Sequence, residues 1–230
     1  MRFFTLILFL FTLLACENKK INTAKPSFYY WQMEGKDSAL QQGIEKFQVQ
    51  HLYIKWFDIA WIDHKNMGAP IAVLKASSNI KPLFNKPFSP VIFINNSLFQ
   101  KIDSSGCVLL ASQIQTAIQK KAQQINHTLA LQQSNLYDNI SEIQIDCDWT
   151  KPTKNKYFYF LECLKRLISN KQLSVTLRLF PYKYQSEMGI PPVDKAVLMC
   201  YNMEPIKNVN TINSIFNIDI FSDKYCCGIA

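Results

Sequence analysis

Glycine is scarce in this chain, six residues in 230, and none is placed to build a Gly-rich phosphate loop, a dinucleotide fingerprint or a GxSxG elbow. That excludes the usual cradles for nucleotide cofactors. There are three histidines, and the seven cysteines form neither a CxxC pair nor a Cys/His spacing suited to zinc, so no metal site is expected. Lys and Arg never run beyond two in a row and make no stripe interleaved with aromatics. Nucleic acid is therefore not an expected partner. Finally, no apolar run reaches the roughly 20 residues that a membrane-spanning helix needs.

What the chain does have begins at residue 1. Arg2 is followed by an apolar run from Phe3 to Leu14, then Ala15 and Cys16. A basic start, a short apolar core and a small residue at the cut site describe a secretory signal. The last four of these residues, Leu13-Leu14-Ala15-Cys16, resemble the lipobox of bacterial lipoproteins. That likeness implies cleavage before Cys16 and acylation of its new N-terminus, with two or three acyl chains giving a stable anchor. The expected organisation is a signal over residues 1–15, a polar tether over 16–26 and one domain over 27–230. The expected location is the bacterial cell envelope, on the periplasmic or outer-membrane side. Loss of Arg2 with the leader lowers the formal charge from +8 to +7. That diffuse positive charge suits anionic lipids or acidic glycans only weakly.

Beyond the tether, strand-like and helix-like segments alternate. Strands are expected at Ser27 to Met33, His51 to Trp61, Pro90 to Asn95, Glu142 to Thr150, Leu173 to Phe180 and Lys195 to Met203. Helices are expected at Asp37 to Phe47, Val108 to Ala130 and Tyr157 to Asn170, each with apolar positions at helical spacing. Residues 62–90 read as a turn containing His64, a return strand from Ile71 to Ala76, and an irregular Pro-containing loop above the sheet. Strand, crossover helix and parallel strand in succession define an α/β fold, here a TIM-type (β/α) barrel. Six strands are recognisable where closure takes eight, so the barrel is expected to be incomplete or cut short at its C-terminus.

The stretch EIQIDCDWT, Glu142 to Thr150, carries the candidate chemistry. Alternation sets Ile143, Ile145, Cys147 and Trp149 against Gln144, Asp146, Asp148 and Thr150. Two carboxylates near the C-terminal end of a barrel strand stand where such barrels place their active sites, although a structural pair neutralised by a lining Arg or Lys has the same pattern. Arg178, on one face with Ser174, Thr176 and Phe180, is expected beside them, either holding both ionised or clamping an anionic ligand. Lys55 either points inward or runs its aliphatic stem along an exposed edge.

Ile145-Asp146-Cys147-Asp148-Trp149 resembles the latter part of the DxxDxDxE motif of family 18 chitinase-like glycoside hydrolases. Met199-Cys200-Tyr201-Asn202 resembles their MxYD motif, and the strand order puts both where that family has them. More broadly, the chain looks like bacterial lipoproteins whose barrels are similar to these hydrolases. The likeness implies Asp146, Asp148 and Tyr201 as catalytic residues. Stacking or ligand-contact residues would be Trp31, Trp56, Trp149, Arg178 and Asn202. The departures are as specific as the matches: Ile143 stands at the first Asp, Thr150 at the catalytic Glu and Asn202 at the last Asp. A Thr hydroxyl is far too weak an acid to protonate a glycosidic oxygen. Hydrolysis would need a second carboxylate from a later loop, Glu187 or Glu204. Three readings remain open: an anchored glycoside hydrolase, a non-catalytic barrel that binds glycan or a partner protein at the same cleft, or a purely structural envelope lipoprotein with no ligand.

Overall fold

The computed structural model describes residues 25–35, 37–131 and 135–200. Cys16, Tyr201, Asn202 and Glu204, named from the sequence, therefore lie outside the described residues. Seven strands form one sheet: β1 (Ser27–Tyr30), β2 (His51–Ile62), β3 (Met67–Val73), β4 (Phe88–Ile94), β5 (Glu142–Asp146), β6 (Gln172–Arg178) and β7 (Lys195–Met199). Its order is β1-β2-β4-β5-β6-β7, every neighbour in that path is parallel, and β3 turns back antiparallel on β2. The six parallel strands fall where alternation predicts them. A closed TIM barrel is not present among the described residues; the sheet is an open, curled half-barrel.

Helices cover the convex side. They are α1 (Asp37–Lys46), α2 (Leu98–Lys101), α3 (Ser104–Thr128), α4 (Lys154–Leu167), and the short α5 (Leu179–Lys183) and α6 (Gln185–Met188). Helix α3 starts where Asp103 accepts the Gly106 amide at 2.8 Å, satisfying one of the amides that a helix start leaves unpaired. It then buries Leu110, Ile114, Ile118, Ala122 and Ile125, a stripe at helical spacing. Tyr157, Phe160, Leu161 and Leu164 of α4 pack beside it, and Ile143, Ile145 and Cys147 meet this layer from the sheet. The loop expected to be irregular contains a 3₁₀ helix, Ser78–Asn85, which buries Ile80, Leu83 and Phe84.

The concave side is polar yet closed to solvent. Glu142, Gln144 and Asp146 of β5 alternate inward, as do Ser174 and Thr176 of β6, and all five are buried. Burial of such groups is tolerable only when they are bonded. Ser174 donates to Glu142 at 2.6 Å, Gln144 donates to Ser174 at 3.3 Å, and Tyr29 donates to Gln144 at 2.8 Å. Lys195 donates to both Tyr53, at 2.7 Å, and Glu142, at 2.9 Å. Strands β1 and β5 stand three places apart, roughly 14 Å in a flat sheet at the usual strand spacing. A bond between Tyr29 and Gln144 therefore requires the sheet to curl.

β2 departs from strict alternation. Lys55 pairs with Val91 and Phe57 with Ile92, so Trp56 is one residue too many opposite β4. This β-bulge returns Asp58, opposite Phe93, to the inner side with Lys55, while Phe57 turns to the outer side. Strict alternation would keep Phe57 on the Lys55 face; the extra residue moves it to the other.

Candidate functional site

At the C-terminal edge of the sheet lies a cavity of about 420 Å³, lined by Trp31, Lys55, Asp58, Phe93, Asp146, Asp148 and Met199. β2, β4, β5 and β7 deliver these residues to one end because all four run in the same direction, with Trp31 just past the end of β1 and Asp148 just past the end of β5. Phe93 and Asp146 are register partners on adjacent strands, which fixes the cavity floor.

Asp146 is 5% exposed and accepts the Thr176 hydroxyl at 2.5 Å. Burial raises its pKa above the ordinary carboxylate value; the Thr176 hydrogen bond opposes this, neighbouring Asp148 adds to it, and Lys55 and Arg178 work against it. Asp148 stands outward at the rim, with its Oδ1 3.3 Å from Arg178 Nε, and about half of each side chain is open to solvent. Ion pairs as open as this contribute little to stability. The expected meeting of Arg178 with these aspartates is thus present at Asp148.

Lys55 points inward rather than along an edge. It bonds Asp58 Oδ2 at 3.0 Å, both side chains being largely covered, and its ammonium lies 5.3 Å from the Trp31 ring centre. The other oxygen, Asp58 Oδ1, is buried without a hydrogen-bond partner among the described residues. A desolvated carboxylate oxygen with nothing to accept is costly, and a donor in the cavity could reach it only if the side chain moved. Asp58 is the residue that strand alternation alone overlooks.

Trp31 is 38% exposed and stacks on Tyr29, which stacks on Tyr53. These rings form the wall beneath the opening. The other tryptophans named from the sequence are placed differently. Trp56 is wholly covered, whereas Trp149 is 4% exposed, stacked on Tyr157, and borders the second cavity described next.

Beyond Asp148 the surface continues into a second cavity of about 650 Å³ that contains Thr150, Lys151, Arg178, Phe180 and Glu187. Met199 belongs to both, and the Asp148–Arg178 pair spans them. Thr150 does not stand free: its hydroxyl lies 3.4 Å from Asn96 Nδ2 and 3.2 Å from Thr153 Oγ1. Glu187 is paired with Lys151 at 2.7 Å, which lowers its pKa. Ionised and tied at the outer rim, it is poorly suited to give up a proton. His64 is exposed in the turn between β2 and β3, remote in sequence from any of these groups. Among the described residues no three His, Cys, Asp or Glu side chains group in a way that could hold a metal ion.

No protein-family model matches the chain, and no curated protein matches it. Among solved structures it is similar to the Bacillus cereus spore cortex-lytic enzyme SleL, at 17% identity and a TM-score of 0.44, over 77% of this chain and 41% of that one. It is also similar to the C-terminal domain of Legionella pneumophila ChiA, at 7% identity and a TM-score of 0.43, over 69% of this chain and 48% of that one. The chain thus spans less than half the length of either structure.

Proposed function

We propose that this chain is a lipid-anchored envelope protein whose half-barrel binds glycans in the cleft at the C-terminal edge of its sheet. The observation that carries the reading is the single cavity shared by Asp58, Asp146, the half-open Asp148 and the open Trp31 ring. A sugar offers what such a cavity lacks: hydroxyl donors for carboxylate oxygens and an apolar C–H face for an indole. The adjoining cavity beyond Asp148 lets the bound chain run on past a single ring. The likeness of the Asp146 and Asp148 segment to family 18 hydrolases, read from the sequence, points to the same ligand class. The signal and Cys16 support the anchor.

Binding without cleavage fits best, because Thr150 stands where the proton donor would be and is engaged with Asn96 and Thr153. Hydrolysis is the alternative, and one observation favours it: burial holds the Asp146 carboxyl protonated to higher pH than usual, as a general acid requires. The purified chain in detergent, titrated with chitin-type and peptidoglycan-type oligosaccharides beside Asp58→Asn and Asp146→Asn, separates the two. Saturable binding without product, weakened in Asp58→Asn, is the expected result. Cleavage that disappears in Asp146→Asn would establish the hydrolase, and absence of both binding and cleavage would overturn the glycan reading.

A further inference from the structure

The end of the half-barrel opposite the cleft has its own character. β1 begins there, directly after the tether, and the C-terminus of α1 returns there, with the Gln50 amide bonded to the Pro26 carbonyl. Phe28 and Phe47 stand 42% and 52% exposed, with ring centres 5.5 Å apart. An adjoining pair of open phenyl rings has no role in the core. Lys46 lies 5.7 Å over the Phe47 ring, and Lys25 and Lys86 are exposed at the same end of the sheet. Of the acidic groups there, Glu45 and Asp138 are exposed, and Asp194 is paired with Lys165 at 2.6 Å.

We propose that this face docks on an anionic phospholipid surface, with the two phenyl rings entering the headgroup layer and the lysines meeting lipid phosphates. The proposal rests on acylation of Cys16. Phe28 lies twelve Cα–Cα steps after Cys16, a reach of at most roughly 43 Å when fully extended. A compact domain of the length that follows the tether is about 43 Å across, so only a fully extended tether would span it. The tether therefore holds β1's start towards the membrane and cannot readily carry the opposite edge there. No helix among the described residues is long and apolar enough to cross a bilayer, so the contact lies in the interface. Docked in this way, the chain turns the Asp58–Asp148 cleft away from the lipid, open to a glycan in the surrounding space.

The test is hydrogen exchange on the full acylated chain reconstituted in phosphatidylglycerol vesicles and in phosphatidylcholine vesicles, with the modification on Cys16 verified by intact mass. The expected result is slowed exchange over residues 25–30 and 44–50 in phosphatidylglycerol alone, with residues 147–153 unchanged. Since a cation at an anionic surface is worth about a fivefold gain, Lys25→Glu with Lys46→Glu should remove roughly tenfold or more of that protection. Phe28→Ser with Phe47→Ser should remove it as well. An acylated chain that exchanges equally in both lipids overturns the docking face and leaves the anchor standing. Unmodified Cys16 overturns both. Protection that persists without vesicles, or that rises with protein concentration, assigns the face to the chain itself or to a second copy and also overturns the proposal.

Discussion

The Tyr53 hydroxyl and the Lys195 ammonium meet at 2.7 Å across the hollow of the sheet, although 142 residues separate them in sequence. Lys195 also holds Glu142, and these two hydrogen bonds outweigh its partial burial to raise the Lys195 pKa. Four strand intervals, roughly 19 Å in a flat sheet, are closed by this contact. The curl that shapes the cleft is thus tied from β2 to β7.

Lys195→Met should therefore destabilise the fold by leaving the Glu142 carboxylate, which is 5% exposed, without its cation. Because Lys195 itself is nearly half open, the cost is about 2 kcal/mol rather than the larger penalty of a fully buried pair, or a fall in Tm of roughly 4–8 °C. Adding Glu142→Gln should recover part of the loss. A thermal melt followed by circular dichroism checks both, and an unchanged Tm in Lys195→Met would separate the contact from the curl.

Asp146 sets a pH dependence of opposite sign to that of a salt-bridged carboxylate. Burial raises its pKa in the folded protein, so between the ordinary value of 3.8 and the raised value the folded chain binds more protons than the unfolded one. Stability is lost as pH rises through that window. Asp146→Asn, in which the Thr176 hydroxyl can still donate to the side-chain oxygen, should have a higher Tm than the wild type near pH 7, with the gap closing towards pH 4. Melts across that range check the sign, and a variant less stable than the wild type near pH 7 would contradict it.

Two tryptophans should separate ligand contact from folding. Trp31→Ala removes the open ring beside Lys55 and should weaken glycan binding by about 1 kcal/mol, roughly fivefold in Kd, with little change in Tm. Trp149→Ala opens a hole against Tyr157 and Phe158 and should cost about 3–5 kcal/mol of stability. Calorimetric titration paired with thermal melts distinguishes the two effects.

Asp58→Asn is expected to lower stability modestly, by leaving the largely covered Lys55 without its counter-ion, while weakening binding. It removes half of an ion pair but also a desolvated charge whose Oδ1 has no partner. Binding that survives Asp58→Asn at full strength would shift the contact to Asp148 and the outer cavity.

Much of the architecture was legible because parallel strands under helices write their inner and outer faces as alternation. Ile143, Ile145 and Cys147 lie against the helices and Gln144 and Asp146 face the hollow, as their spacing requires. The same alternation places Trp149 on the helix side, where it is a core ring. Asp58 was not legible, since its inward aim depends on a bulge that only pairing with β4 reveals. Nor was the Glu142–Lys195–Tyr53 network, whose members come from three strands and carry no local signal. The 3₁₀ helix at Ser78–Asn85 was hidden by Pro82, which breaks the periodicity that α-helices leave in sequence.

The supernumerary Trp56 means that β2 carries two opposite phases of inside and outside, joined at a single residue. Deleting it would pair Lys55, Phe57 and Asp58 with Val91, Ile92 and Phe93 in unbroken alternation, leaving Asp58 at the cleft and costing the core a wholly covered indole. What aims the acid is a count of residues: were the bulge ironed out with Trp56 kept, Phe57 would take the cleft position and Asp58 would turn to the helix side.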